Sequence, residues 1–322
     1  MPLLRYSVRR LVEAVPLLLG LVTIVFFLSR LLPGDATTVF LSPNISPSIL
    51  EQLKSQFGLD RPVGEQYLRW MQSALTGDLG YSFSYNQPVM SVIGNVFPNT
   101  LVLGVAALVI EIGLGILLAL PVFLWEGRKV ETAIANLTLA VYTLPSFWIG
   151  MLLLLLFSYG LGLLPSSQMY SSGKASSEGS VFDLLKHLAL PALTAAIPAA
   201  AGFARYLRSN VKMVMNQDYV LMARSMGLSN KTIFRSYILP NAAAPMVSLI
   251  GIEIGMLLTG VLVTETLFAW PGMGRLTIAA ISSRDYPLIL GCTLVAGVVV
   301  IIGNLLADLV NALIDPRIGN AE

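Results

Sequence analysis

Charge is scarce in this sequence. Lys, Arg, Asp and Glu make up 12% of its 322 residues, about half the share of an ordinary soluble domain. Cysteine and histidine occur once each, as Cys292 and His187. A single cysteine excludes an intramolecular disulfide and any cysteine-based zinc site, and a single histidine excludes a histidine cluster for metal. Catalytic signatures are missing as well: no His-Glu-x-x-His, Gly-x-Ser-x-Gly or G-x-x-x-x-G-K-[ST] phosphate loop occurs. A net charge of +2 is too small to argue for nucleic acid.

Apolar residues fill the space that charge leaves. They form 55% of the chain, with a mean hydropathy of +0.75, in runs spread from end to end. Crossing a roughly 30 Å hydrocarbon core takes about 20 apolar helical residues. Six stretches qualify: Leu11–Leu32, Thr100–Trp125, Ile134–Leu161, Leu188–Leu207, Ala244–Ala269 and Pro287–Leu309. The first follows Arg5, Arg9 and Arg10 but is too long for a signal peptide, so it reads as an uncleaved span. The fourth is alanine-rich and holds Pro191 and Pro198, which predicts a helix buried among its neighbours. The fold class expected is an all-α integral membrane protein of about six transmembrane helices. Lys and Arg in the short loops favour cytoplasmic N- and C-termini.

Two outer segments have an organisation of their own. Residues 33–99 alternate turn signals with helix-like stretches at Ser48–Phe57 and Glu65–Thr76. In the latter, Tyr67, Leu68, Met71 and Leu75 recur at helical spacing, as in an amphipathic helix lying on the bundle or the membrane surface. Residues 170–180 read as a serine-rich loop.

Asn210–Pro245, between the fourth and fifth spans, is too long for a simple helix connection. Asp218 predicts an N-cap for a two-turn helix over Tyr219–Met226, and Gly227 its C-terminal stop. Ser229 predicts a cap for a second helix, Asn230–Leu239, which Pro240 ends. Two turns are unstable alone in water. Leu221, Met222 and Met226 would project beside Arg224, as a docking element for a partner or as a helix resting on headgroups.

Ionisable groups inside spans are costly and point to function. Glu111, Glu253 and Asp308 qualify. Glu111 and Glu253 read either as pathway carboxylates for a cationic amine or metal ion, or as hydrogen-bonded carboxyls between helices; Asp308 fits the second role better. Pro145 interrupts the third span, by a pathway-lining kink or by ordinary packing adjustment. The turn Trp270-Pro271-Gly272-Met273-Gly274 reads as an interfacial anchor, or as part of a landing surface for a soluble protein. His187 reads as a packing residue.

In Asn210–Pro245, Ala223, Gly227, Tyr237 and Leu239-Pro240 fall at the spacing of the EAA loop of binding-protein-dependent ABC importers, which this stretch resembles. Leu221 and Met222 stand where that motif has Glu and its first Ala, and Tyr237 where it has Ile. Arg30-Leu-Leu-Pro-Gly-Asp35, Phe57-Gly-Leu-Asp-Arg-Pro62 with Gln66-Tyr67, Gly77-Asp-Leu-Gly80 with Ser82, Pro98-Asn-Thr-Leu101, Asp218-Tyr219 and Ala223-Arg224 resemble the dipeptide and oligopeptide permease family. So do Glu265-Thr-Leu-Phe268, Trp270-Pro-Gly-Met-Gly-Arg275, Arg284-Asp-Tyr-Pro287 and Asp315-Pro-Arg317. The resemblance spans nearly the whole chain and is to the B-type permease subunit, with its long first outer loop.

The resemblance implies a type I ABC-importer permease in the bacterial inner membrane, surrounded by lipid. Its partners would be a second homologous permease, two ATP-binding cassette ATPases and an extracytoplasmic binding protein, with no role for nucleic acid. The loop 210–245 would couple to the ATPases through Asp218, Tyr219, Leu221, Met222, Ala223, Arg224, Met226, Gly227, Leu239 and Pro240. No cofactor is expected on this chain and no catalysis; ATP and magnesium belong to the ATPases. Residues 1–99 would hold the first span and outer region, and 100–317 a five-helix core. Dipeptide or oligopeptide import is the main reading, nickel or chelated-metal import the alternative within the family, and a secondary transporter the more distant one.

Overall fold

The computed structural model describes residues 2–31, 60–121, 127–171 and 180–314. The expected helix Ser48–Phe57, most of the serine-rich loop and the Asp315–Arg317 motif lie outside them. Helix α1 (Pro2–Leu31) leads to a short α2 (Val63–Leu75), a two-stranded hairpin of β1 (Tyr81–Ser82) and β2 (Gln87–Pro88), and the long α3 (Val89–Ala119). Next come α4 (Lys129–Thr143) and α5 (Ser146–Leu153), the latter running into a π-helical turn over Leu154–Gly160. Helix α6 (Val181–Met215) is followed by α7 (Asp218–Ser225), α8 (Asn230–Ile233), a π-helical turn over Phe234–Ile238 and α9 (Leu239–Gly260). Helices α10 (Leu262–Leu267), α11 (Met273–Ser282) and α12 (Tyr286–Ile314) complete the chain.

Among the described residues, four helical stretches are long and apolar enough to cross a membrane: Val12–Leu31, Val89–Ala119, Val181–Met215 and Tyr286–Leu306. The expected third span is not straight. It breaks by 103° between α4 and the stretch Ser146–Gly160. Leu144 is extended, with ψ 137°, and Pro145 is the N-cap of α5, as the steric demand of proline on its predecessor requires. Counting that bent pair as one span gives five rather than six. Helix α9 occupies much of the expected fifth span but stops at Gly260, and the remainder turns into α10 and the Trp270 turn.

Side-chain size sets the packing. Lipid offers apolar groups no reason to leave it, so helices associate where small residues let backbones approach. Helix α6 supplies Ala192, Ala196, Ala200, Ala201 and Ala204, all buried, as its proline-bearing, alanine-rich sequence predicts. A Cβ on Gly115 of α3 would meet the Phe203 ring at 2.5 Å, and one on Gly297 of α12 would meet Leu18 of α1 at 2.5 Å. Substituting either glycine would push the helices apart.

Three apolar clusters succeed one another along α3, whose 31 residues span about 46 Å. At its start, Val89, Val92 and Ile93 pack with the hairpin, α11 and the first turns of α12. Leu103 meets Trp270, Val261 and Leu188 in the middle. At its end, Ala119 joins α6, α7, α8 and α9. The hairpin and α7 therefore lie at opposite ends of the bundle.

Helix α2 lies against α1. The Thr23 and Tyr67 hydroxyls are hydrogen-bonded at 2.7 Å, and Phe26 stacks edge-on against Tyr67 at 5.2 Å. Tyr67 faces the bundle, whereas Leu68 and Leu75 of the same helix are not covered by the described residues. Arg61 hydrogen-bonds Glu65 at 2.6 Å and holds its carboxyl below the usual range.

Candidate functional site

Helix α7 begins two residues after α6 ends. Its N-cap is Gln217, not Asp218, and no side chain caps it. Asp218 falls instead in the first turn, where its carboxylate complements the positive end of the helix dipole. The other end matches the sequence reading. Gly227 has φ +75°, the N–H of Leu228 bonds to the Ala223 carbonyl at 3.3 Å, and that of Gly227 to Arg224 at 3.0 Å. This pair of bonds is a Schellman motif, closed by a left-handed glycine.

Ser229 caps α8 by accepting from the Thr232 N–H at 3.2 Å, as expected. Pro240 does not end a second helix there. The chain widens into the π-helical turn Phe234–Ile238 and continues into α9, with Pro240 in its first turn. A wide turn accommodates the proline ring without a break. The Asn241 side chain donates to the Tyr237 carbonyl at 2.7 Å.

The two faces of α7 differ sharply. Val220 and Ala223 are fully buried among Val211, Val214, Met215, Ile233 and Ile238. Ala223 is therefore a seat for the helix and not a contact. On the other face Leu221, Met222 and Met226 are 51%, 63% and 59% exposed, with Tyr219 and Arg224 also exposed. A rigidly seated two-turn helix presents two flexible methionines and a leucine, side chains suited to a partner's groove.

Beside this loop Glu131, in the first turn of α4, is buried and bound on three sides. Its Oε1 accepts from Lys212 Nζ at 2.7 Å and Arg208 Nη2 at 3.0 Å, and its Oε2 from the Gly127 N–H at 2.8 Å. Sequence reasoning passed over this residue. An acid three residues into a helix that starts after Gly-Arg was the available signal.

At the opposite end the Trp270 turn is a buried junction. Trp270 is fully buried, and Gly272, Met273 and Gly274 are buried with it. An interfacial anchor needs an accessible ring, so that expectation for Trp270 is corrected; of the turn's residues only Pro271 is half-buried and reaches the surface. The Trp270 indole donates to the Asn99 carbonyl at 2.9 Å, and the Asn99 side chain donates to that of Pro271 at 2.8 Å. Glu265 accepts from the Thr100 hydroxyl at 2.7 Å and from the N–H groups of Gly274 and Arg275 at 2.7 and 3.1 Å. Its carboxyl thereby caps α11. The glycines follow from this. A Cβ on Gly272 would lie 2.1 Å from Glu265 Oε1, and one on Gly274 would lie 2.5 Å from the Leu262 Cα.

Glu111 is 6% exposed, on the α3 face that also carries Ala107 and Gly115, and Glu253 of α9 is half-buried. Neither lines the cavity of about 600 Å³ between α1, α12 and α11, which is walled by Leu17, Leu21, Thr277, Cys292 and Val300. The Asp308 side chain lies outside the described residues. His187 bonds through Nδ1 to the Ser167 carbonyl at 2.9 Å, a packing role that pins the preceding loop. Among the described residues no group of three His, Cys, Asp or Glu side chains gathers for a metal.

The chain matches two family models. Residues 111–320 match the binding-protein-dependent transport system inner membrane component, and residues 3–104 match the N-terminal part of such membrane components. A Brucella suis protein named as a candidate peptide permease is 40% identical over 98% of this chain and 99% of its own length. The oligopeptide transport system permease protein AppB of Bacillus subtilis is 35% identical over 97% and 98%. The dipeptide transport system permease protein DppB of Escherichia coli K12 is 32% identical over 98% and 99%. With the helices and turns in place to carry those motifs, the chain is a multi-pass membrane protein and belongs to the family of binding-protein-dependent transport system inner membrane components.

Proposed function

We propose that this chain is the permease subunit of an ATP-driven importer of dipeptides or oligopeptides. It pairs with a second homologous permease, rests on two ATPase subunits that bind ATP and magnesium, and receives substrate from an extracytoplasmic binding protein. The permease itself performs no catalysis and moves peptide by rocking between inward- and outward-open states. Both termini face the cytoplasm, on the side of α7.

The observation that carries this reading is the division of α7 into a buried seat, Val220 and Ala223, and an exposed apolar face, Leu221, Met222 and Met226. An ATPase groove would take that face, and the seat would pass its motion to α6 and α9. The relatives named for peptides support the substrate class.

The test is ATP hydrolysis and uptake by the complex in proteoliposomes, with binding protein and a dipeptide, a longer peptide or nickel. Met222→Asp and Met226→Asp put charge on the docking face without touching the seat. Each should lower binding-protein-stimulated hydrolysis by about tenfold. Unimpaired hydrolysis and uptake in both variants would remove α7 as the coupling element, and stimulation by nickel alone would replace peptide as the substrate.

A further inference from the structure

The apolar cluster that seats α7 draws on α3, α6, α8 and α9, and no described residue of α4 belongs to it. At this end of the bundle α4 is tied to α6 by charge instead. Glu131 is 5% exposed and receives Lys212 and Arg208, which lie one turn apart on α6. Lys212 faces two ways. Its ammonium reaches Glu131, and its carbonyl accepts the Asn216 side-chain amide at 3.0 Å. Asn216 and Gln217 are the whole connection from α6 to α7.

The chain of contacts is therefore continuous: α7, the two-residue link, the last turns of α6, Glu131, and α4, which leads into the 103° break before α5. Glu131 also binds the Gly127 N–H ahead of its own helix. Its carboxylate thus fixes the start of α4 as well as the α6 contact, and a shift of α6 acts on α4 as a body. Further along, the described residues of α4 meet α6 through contacts such as the Tyr142 ring, which lies 4.9 Å from the Arg205 guanidinium and packs over Gly202. The two cations cover the Glu131 carboxylate from the solvent side, Arg208 being 23% and Lys212 46% exposed.

We propose that Glu131 is a positioning residue for energy coupling: its clamp on Arg208 and Lys212 transmits displacement of α7 to the broken helix α4–α5. This rests on the permease reading above and adds a route from the coupling helix to a specific part of the bundle. Losing the clamp leaves ATPase docking intact and uncouples hydrolysis from transport.

The experiment compares peptide taken up per ATP hydrolysed in the reconstituted complex. Glu131→Gln keeps the shape and removes the charge. It should retain stimulated hydrolysis within about twofold and lower peptide per ATP at least fivefold. Arg208→Gln with Lys212→Gln should reproduce that loss from the more exposed side of the clamp, and serves if Glu131→Gln does not assemble. Adding Glu131→Gln to the double variant should lower the ratio no further, whereas Lys212→Arg should preserve it. A merely structural salt bridge would change assembly or melting and leave peptide per ATP alone. A coupling ratio within twofold of wild type in Glu131→Gln, or in the double variant where that one fails to assemble, overturns the clamp and leaves the permease reading standing; so does an additive triple variant. A wild-type complex without binding-protein-stimulated hydrolysis or peptide uptake overturns the permease reading, and the clamp with it.

Discussion

Thr100 and Glu265 lie 165 positions apart in sequence and meet side chain to side chain at 2.7 Å, buried, where α3 passes the turn before α11. The Thr100 hydroxyl works in both directions. It donates to Glu265 and accepts the Met273 N–H at 2.7 Å. Together the two side chains satisfy the first three N–H groups of α11, those of Met273, Gly274 and Arg275.

Glu265→Ala strands three donors and Thr100→Ala strands one donor and one acceptor, at about 1–3 kcal/mol for each buried group left unpaired. Both substitutions should lower the melting temperature of the purified protein in detergent. Because they share one bond, the double variant should lose less than the two single losses added together, by about 1 kcal/mol. Strict additivity would mean that the two side chains act apart.

Gly272 is a separate test of the same junction. No side chain fits there, since a Cβ would lie 2.1 Å from the Glu265 carboxyl. Gly272→Ala in the wild-type background should be among the most damaging single-methyl additions in the chain, about 1–3 kcal/mol or more. In the Glu265→Ala background the obstruction is gone and the added cost should largely vanish. Thermal unfolding of the four proteins measures this.

The hairpin end repeats the principle with Asp285. Its Oδ2 accepts from the Ser82 hydroxyl at 2.6 Å and the Ser84 N–H at 2.9 Å, and its Oδ1 from the Leu288 N–H in the first turn of α12 at 3.3 Å. One carboxylate thus caps α12 and holds the hairpin 81–88. Asp285→Ala should release the hairpin and speed hydrogen exchange across residues 81–88, while exchange in α7, at the far end of α3, stays as in wild type. Ser82→Ala removes one contact and should give a smaller effect of the same kind.

These junctions show what was legible beforehand. The long helices were, because apolar runs of spanning length need no partner to be recognised, and the alanine-rich fourth span announced its burial. The motif segments could be found but not assigned. Asn99-Thr100 stands far in sequence from Glu265 and the Trp270 turn, with 165 positions between Thr100 and Glu265, and only folding shows that they are sides of one joint. Trp270 looked like a surface anchor because an aromatic beside proline and glycine at a span's end fits an interface. What buries it is Leu103, Leu188, Ala192 and Val261, with the Asn99 carbonyl taking the indole N–H, and local pattern cannot supply these. The third span failed as a single helix at Leu144-Pro145, where the proline was visible but the size of the break depends on the packing of α5 against α6 and α10. Glu131 was missed because its partners lie 77 and 81 positions downstream.

Gly227 closes α7 at φ +75° with open space around its Cα. A substitution there meets no steric neighbour, so its cost is purely conformational. Gly227→Ala should destabilise the end of α7 by about 1 kcal/mol, and Gly227→Asn by less, because asparagine enters the left-handed region more readily. Gly227→Pro demands a φ near −65° and removes the N–H that bonds to Arg224, so it should undo the stop altogether. Hydrogen exchange of the Met226 and Leu228 amides should rise in the order Asn, Ala, Pro. If coupling of hydrolysis to transport falls in that same order while Val220 and Ala223 stay protected, the exact end of α7 matters to the coupling contact. Equal activity across the three variants would place the contact on Leu221 and Met222 alone.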